Sequence, residues 1–276
     1  MEKQATYIKR IEITGLWGWK NIVWELRPDV NILSGINGIG KSTILNASVR
    51  RLEKEMPVGN VANGMQVSIV FEPEDATFVQ YDVIRSFDRP LLHSDIMEKL
   101  ADKNVRTELD WQVYQLQRRY LDYQVNIGNR IIELLTSGDG GREKAETVSI
   151  PKRMFQDMID SLFQETNKRI DRRSNEIRFI QGNEILCPYQ LSSGEKQMLV
   201  ILLTVLVQDG KSAVLFMDEP EVSLHIEWQQ KLISMIRMLN PSVQIVLTTH
   251  SPAVIMDGWM DAVTEVSDIS STVQRS

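Results

Sequence analysis

The chain has 276 residues, 42% apolar and 25% charged, enough for one large domain or two small ones with a substantial core. A formal net charge of −6 argues against a strongly basic nucleic-acid binder, although a local basic face can sit on an acidic body. The one cysteine, Cys187, forbids an internal disulfide, and the three histidines, His93, His225 and His250, are too scattered for a metal cluster. Met1 to Thr6 carries no export core, and the longest apolar run, Met198 to Val207, is about half the ~20 residues of a bilayer span. A cytoplasmic protein without membrane contact is expected.

The first elements read as strands. Tyr7 to Thr14 alternates apolar and polar residues with one slip in register, and Asn21 to Leu26 follows the turn Gly15-Leu16-Trp17-Gly18-Trp19. Val30 to Ser34 is a short apolar strand leading directly into Gly35-Ile36-Asn37-Gly38-Ile39-Gly40-Lys41-Ser42-Thr43, which matches G-x-x-x-x-G-K-[ST]. Glycines let a backbone wind tightly around an anion, and the helix predicted from Lys41 to about Glu55 adds its positive end. Asn37, Gly38, Ile39 and Gly40 belong to the cradle. Lys41 is expected on the β- and γ-phosphates, the Ser42 hydroxyl on Mg²⁺, and Thr43 on the α-phosphate. A strand before and an amphipathic helix after supply the context this motif needs.

Gln66 to Phe71 and Thr77 to Phe87 read as an antiparallel pair around the turn Pro73-Glu74-Asp75. From Leu91 to about Thr136 the pattern turns helical, through Leu116, Tyr120, Tyr123, Ile127, Ile131 and Leu135. Ser137 to Gly141 breaks it, and a second amphipathic helix is predicted from Pro151 to Ser174. This middle third carries no catalytic motif and reads as a helical insertion. Ile177 to Ile180 and Glu184 to Cys187 are short strand candidates. Ser192-Ser193 opens a long helix through Val207; Lys211 to Met217 and Val243 to Thr248 are buried strands, with a helix from Ile226 to Leu239 between them. Such alternation predicts an α/β fold with a parallel sheet, beside an antiparallel part near the start of the chain. The expected division is 1–90, first part of the core; 91–176, the helical insertion; and 177–276, the rest of the core.

Val214 to Met217 is a doubly buried type of strand ending in Asp218-Glu219, and ligands bind at the carboxyl ends of such strands. Asp218 can therefore reach the Mg²⁺ shell, and Glu219, one residue on, can take a proton from an attacking water. His250 ends a second apolar strand at the same sheet edge, where it can bond the γ-phosphate or the water.

With Leu191-Ser192-Ser193-Gly194-Glu195 and Asp218-Glu219-Pro220-Glu221-Val222-Ser223-Leu224-His225, the chain resembles ABC-type ATPase heads of the branch that includes RecF, SMC proteins and OLD-family nucleases. The likeness covers roughly residues 7–72 and 177–257. The first run resembles the signature L-S-G-G-Q, with Ser193 and Glu195 as variants. The resemblance implies a P-loop ATPase head that takes ATP and Mg²⁺ and dimerises head to tail around two nucleotides. Ser192, Ser193, Gly194 and Glu195 would then meet the nucleotide held by a partner's Lys41. Glu219 would be the general base, His250 the switch histidine, and Ser223 to His225 would lie at the dimer interface.

Gln66 and Gln80 are the candidates for the family's Q-loop glutamine, and Trp17 or Trp19 can stack on a base or pack in the core. The segment between Thr43 and Leu191 is too short for an SMC coiled coil. Only 26 residues follow His250, so no fused nuclease is expected and an effector would be a separate chain. The leading expectation is a slow ATPase acting as a nucleotide-gated dimeric switch, or higher oligomer, in bacterial defence. The alternative is a DNA repair ATPase using the basic groups Arg118-Arg119, Lys152-Arg153 and Lys168 to Arg178; a transporter subunit ranks last.

Overall fold

The computed structural model describes residues 2–53, 65–86, 104–136 and 141–272. Five strands make a parallel sheet in the order β11-β3-β10-β9-β5: β3 (Val30–Ser34), β5 (Tyr81–Arg85), β9 (Ala213–Asp218), β10 (Val243–Thr248) and β11 (Val263–Glu265). A four-stranded antiparallel sheet, β12-β2-β1-β4, contains β1 (Tyr7–Leu16), β2 (Lys20–Glu25), β4 (Gln66–Glu72) and β12 (Ser270–Thr272). Three short strands, β6 (Lys168–Ile170), β7 (Phe179–Gln181) and β8 (Glu184–Leu186), form a small antiparallel sheet. The helices are α1 (Lys41–Leu52), α2 (Glu108–Thr136), α3 (Gly141–Leu162), α4 (Ser193–Val207), α5 (Ile226–Leu239) and α6 (Pro252–Met256).

The apolar runs of the central strands follow from burial on both faces. Alternate side chains enter different cores. Leu215, Met217, Ile245 and Leu247 join a core with α2, α3, α4 and α5, whereas Val214, Phe216 and Val246 join one with α1 and the antiparallel sheet. Helix α4 is buried around almost its whole circumference, from Glu195 to Leu206, because it lies between the sheet and the α2–α3 pair. The helical middle therefore shares its core with the parallel sheet: Leu109, Val113, Leu116, Tyr120, Phe155 and Ile159 all pack there. The buried Gln244 side chain joins the two larger sheets, bonding both backbone groups of Ile8 at 2.8 Å.

Several expectations change. The strands flanking Pro73-Glu74-Asp75 are not a pair: β4 lies antiparallel to β1, while β5 runs parallel to β9 in the other sheet. A turn motif encodes a change of direction, not the partner of the strand that follows. Helix α3 begins at Gly141 and contains Pro151, and it stops at Leu162 before β6. Its first half is mostly exposed and turns only Gly141, Ala145 and Val148 inward, and a proline is most often met at a helix start, so the sequence signal sits ten residues late. Strands β11 and β12, Val-Thr-Glu and Ser-Ser-Thr, carry too little apolar content to signal a strand in the sequence. The predicted helical pattern over 91–103, the end of the first helix beyond Glu53, and the break at 137–140 lie outside the described residues.

Candidate functional site

Register brings the site together. On β10, Thr248 stands opposite Asp218 on β9 and Leu33 on β3, so three strand ends meet at one carboxyl edge. The glycine-rich loop leaves β3 there. Gly35, Gly38 and Gly40 adopt φ of 142°, 79° and 109°, which side chains resist, and α1 starts at Lys41. Asn37, Gly38 and Thr43 are exposed and Ile39 is partly so. A Cβ on Gly40 would come within 2.6 Å of the Trp17 ring, so this ring lies directly against the loop. Lys20 reaches the same place, its Nζ 5.8 Å from the Trp17 ring centre and 3.4 Å from the Ile39 carbonyl it bonds. Trp17 and Trp19 remain nearly half exposed, 6.1 Å apart.

Lys41 is buried, and its ammonium donates to the Gly35 carbonyl at 3.0 Å. Burial pushes its pKa below the ordinary 10.5, while the carboxylates of Glu219, Asp218 and Glu221 pull it upward. Ser42 Oγ donates to Asp218 Oδ1 at 2.9 Å, and Thr248 Oγ1 donates to the same oxygen at 2.6 Å. A hydroxyl and a carboxylate so close are hard oxygen donors that fit Mg²⁺, which usually takes one or two protein oxygens and completes its shell with phosphate and water. Among the described residues there is no group of three or more His, Cys, Asp or Glu that could hold a metal by itself.

Glu219 occupies the left-handed region at φ 47°, its amide held by the Thr248 carbonyl and hydroxyl, each at 3.1 Å. The bend turns its side chain toward His250, whose Nε2 lies 3.0 Å from Glu219 Oε1 and 2.6 Å from Lys41 Nζ. The other ring nitrogen, Nδ1, lies 3.4 Å from Lys41 Nζ, so the tautomer protonated on Nε2 donates to Glu219 and keeps Nδ1 as the acceptor toward the lysine. Glu219, His250, Lys41, Ser42 and Asp218 thus form one continuous constellation. Gln80 falls outside it: its carbonyl bonds Val214 at the amino end of β9, the opposite edge, and Gln66 sits in β4 of the antiparallel sheet. Thr248 and Glu221 belong to the constellation although sequence reasoning assigned them no role. The polar run Thr248-Thr249-His250-Ser251 after an apolar strand was the available signal.

The signature run stands apart. Ser192 caps α4 and forms a reciprocal box with Glu195: Glu195 N donates to Ser192 Oγ, and Ser192 N donates to Glu195 Oε2 at 2.9 Å. Ser192 and Ser193 are exposed. Glu195 was expected with them at a partner's nucleotide, but it is only 2% exposed and turns inward. Lys168 Nζ lies 2.9 Å from both its oxygens, and Thr166 Oγ1 donates to one at 2.8 Å. Burial works to raise the Glu195 pKa, yet Lys168, the Ser192 amide and Thr166 outweigh it and hold the carboxyl below its ordinary 4.5. Gly194 rests on backbone: a Cβ there would lie 2.4 Å from the Ser223 carbonyl oxygen.

Residues 82–257, about two thirds of the chain, match the family described as AAA domain, putative AbiEii toxin, Type IV TA system. The chain belongs to this family. This AAA domain is 24% identical over 298 aligned positions to the Septu protein PtuA of Bacillus thuringiensis, covering 90% of the chain and 72% of that protein. It is 33% identical over 101 positions to the Retron Ec83 probable ATPase of Escherichia coli, covering 32% of the chain and 18% of that protein. With the Retron Vc95 probable ATPase of Vibrio cholerae it shares 24% identity over 149 positions, 49% of the chain and 29% of that protein. The chain therefore spans less than a third of either retron protein. Its fold is that of an SMC head: a crystal structure of an SmcHead bound to the C-winged helix domain of ScpA superposes with a TM-score of 0.52 at 16% identity, covering 97% of each chain. No helix among the described residues is long and apolar enough to cross a membrane.

Proposed function

We propose that this AAA domain binds and hydrolyses ATP, closes on a second copy around the nucleotide, and by that closure controls a separate effector in bacterial defence. The convergence of Lys41, Ser42, Asp218, Glu219 and His250 at one strand edge carries the ATPase part. The family description as a type IV toxin–antitoxin component, and the likeness to a Septu protein and two retron ATPases, support the defence setting.

The loop amides of 37–40 and Lys41 would bind the phosphates, and Ser42 and Asp218 would hold Mg²⁺. When bound, the ion neutralises charge that develops on the phosphates. Glu219 would take the proton of the attacking water, with His250 orienting its carboxylate. Trp17 offers a flat apolar face beside the loop for the base. Ser192 and Ser193 point from a helix N-terminus with Glu195 withdrawn behind them, which supports a role toward a nucleotide held by another copy.

DNA binding has less support. Of the basic groups in question, Arg119 pairs with Asp82, Lys168 with Glu195, Arg172 with Asp157 and Asp160, and Arg178 with Glu176.

ATP turnover and fluorescent-nucleotide binding test the ATPase reading. Lys41→Ala should lose ATP binding, while Glu219→Gln should still bind ATP but turn over at least about 100-fold more slowly. Turnover in Glu219→Gln equal to the unaltered protein would remove that glutamate from its role.

A further inference from the structure

Two loops frame the Glu219–His250 pair, residues 219–225 between β9 and α5 and residues 249–251 between β10 and α6. Two side chains fasten them together. Glu221 is 7% exposed; its Oε1 accepts from the Thr249 hydroxyl at 2.5 Å and from the His250 backbone amide at 3.0 Å. Gln229, on the first turn of α5, donates to the Leu224 carbonyl at 2.9 Å and accepts from the Ser251 hydroxyl at 2.6 Å. Every residue of the 249–251 turn is thereby tied to the loop that carries Glu219. Ser223 in that loop is also the backbone on which Gly194 rests.

The other oxygen of Glu221, Oε2, is buried and meets no donor among the described residues. A buried carboxylate oxygen without a partner opposes stability, so packing alone does not account for a glutamate here. Nor does direct chemistry, because both groups that Glu221 bonds lie in the backbone and side chains of the histidine turn.

We propose that Glu221 and Gln229 are positioning residues for hydrolysis: they hold the Thr249–Ser251 turn so that the His250 ring stays on Glu219 and Lys41. This rests on the ATPase reading above. Loss of either clamp frees the turn while the phosphate loop, Ser42 and Asp218 stay as they are. ATP binding should therefore survive and turnover should fall.

Steady-state turnover and fluorescent-ATP affinity of the full chain test this. Glu221→Ala should lower kcat by about 10-fold or more with ATP affinity within about 3-fold. Glu221→Gln, which keeps an oxygen to accept both bonds, should recover most of that loss. On a His250→Ala background, Glu221→Ala should cost less than about 2-fold more, because both changes act through one group. Should Glu221→Ala fail to fold, Gln229→Ala and Ser251→Ala carry the same test through the 2.6 Å bond. Fully multiplicative losses in the double variant, or equal loss of ATP affinity, would overturn the proposal. Unaltered kcat in Glu221→Ala and Gln229→Ala beside an active wild type would overturn it alone. A wild type that binds ATP without turnover would overturn the ATPase reading as well.

Discussion

At residue 194 the absence of one carbon decides a contact. The Ser223 carbonyl sits where any side chain on Gly194 would start, and carbonyl backbone cannot move aside as the end of a flexible side chain can. Gly194→Ala should destabilise the chain by about 1–3 kcal/mol, the usual penalty of forced overpacking, read as a lower denaturant midpoint. The glutamate beside it answers to a different constraint. Glu195 is almost wholly buried and Lys168 is mostly covered, and removing the lysine strands the glutamate's charge. Lys168→Met should cost about 3–5 kcal/mol, and adding Glu195→Gln should restore a substantial part. An unchanged melting curve for Lys168→Met would show that the pair contributes nothing. The signature pattern identified Glu195 as a variant position, but only side-chain packing reveals that its carboxylate serves the interior.

At the level of elements, that pair ties the start of α4 to the segment around β6, and it carries a pH signature. The folded-state pKa of Glu195 lies below its ordinary 4.5. Between those two values the unfolded chain holds a proton that the folded chain has released, so stability rises with pH across that window. The contribution is complete above about 4.5 and fades as the pH falls through the folded-state pKa. Urea unfolding should accordingly show the gap between wild type and Glu195→Gln shrinking as the pH drops below 4.5. A gap independent of pH would assign the stabilisation to another group. Element boundaries were legible where chemistry marks them: a capping serine fixes the start of α4, and an apolar run bounded by polar residues gives β3 and β10. They were not legible at α3, whose first half buries only small or lone apolar residues such as Ala145 and Val148, and the partner of β5 lies more than a hundred residues away.

For the whole molecule, the proposed activity is a change of assembly. In Glu219→Gln with ATP and Mg²⁺, light scattering should report twice the monomer mass, and Ser192→Arg should abolish that doubling while leaving nucleotide binding intact. A monomer under those conditions would refute closure around the nucleotide. DNA affinity that falls steeply with salt would instead favour the alternative reading, since phosphate contacts release counterions.

The sequence by itself determined what depends on near neighbours. The glycine spacing before Lys41, the apolar strands leading into it and into Asp218, and the cap at Ser192 are local, and each says what its own segment can do. Tertiary structure decided which segments meet. Parallel register set Thr248 beside Asp218, the positive-φ bend turned Glu219 onto His250, and burial withdrew Glu195 to Lys168. The reason is physical: periodicity and capping are written over three or four residues, whereas strand partners and buried charge pairs are selected by hydrogen bonds and desolvation across the folded chain.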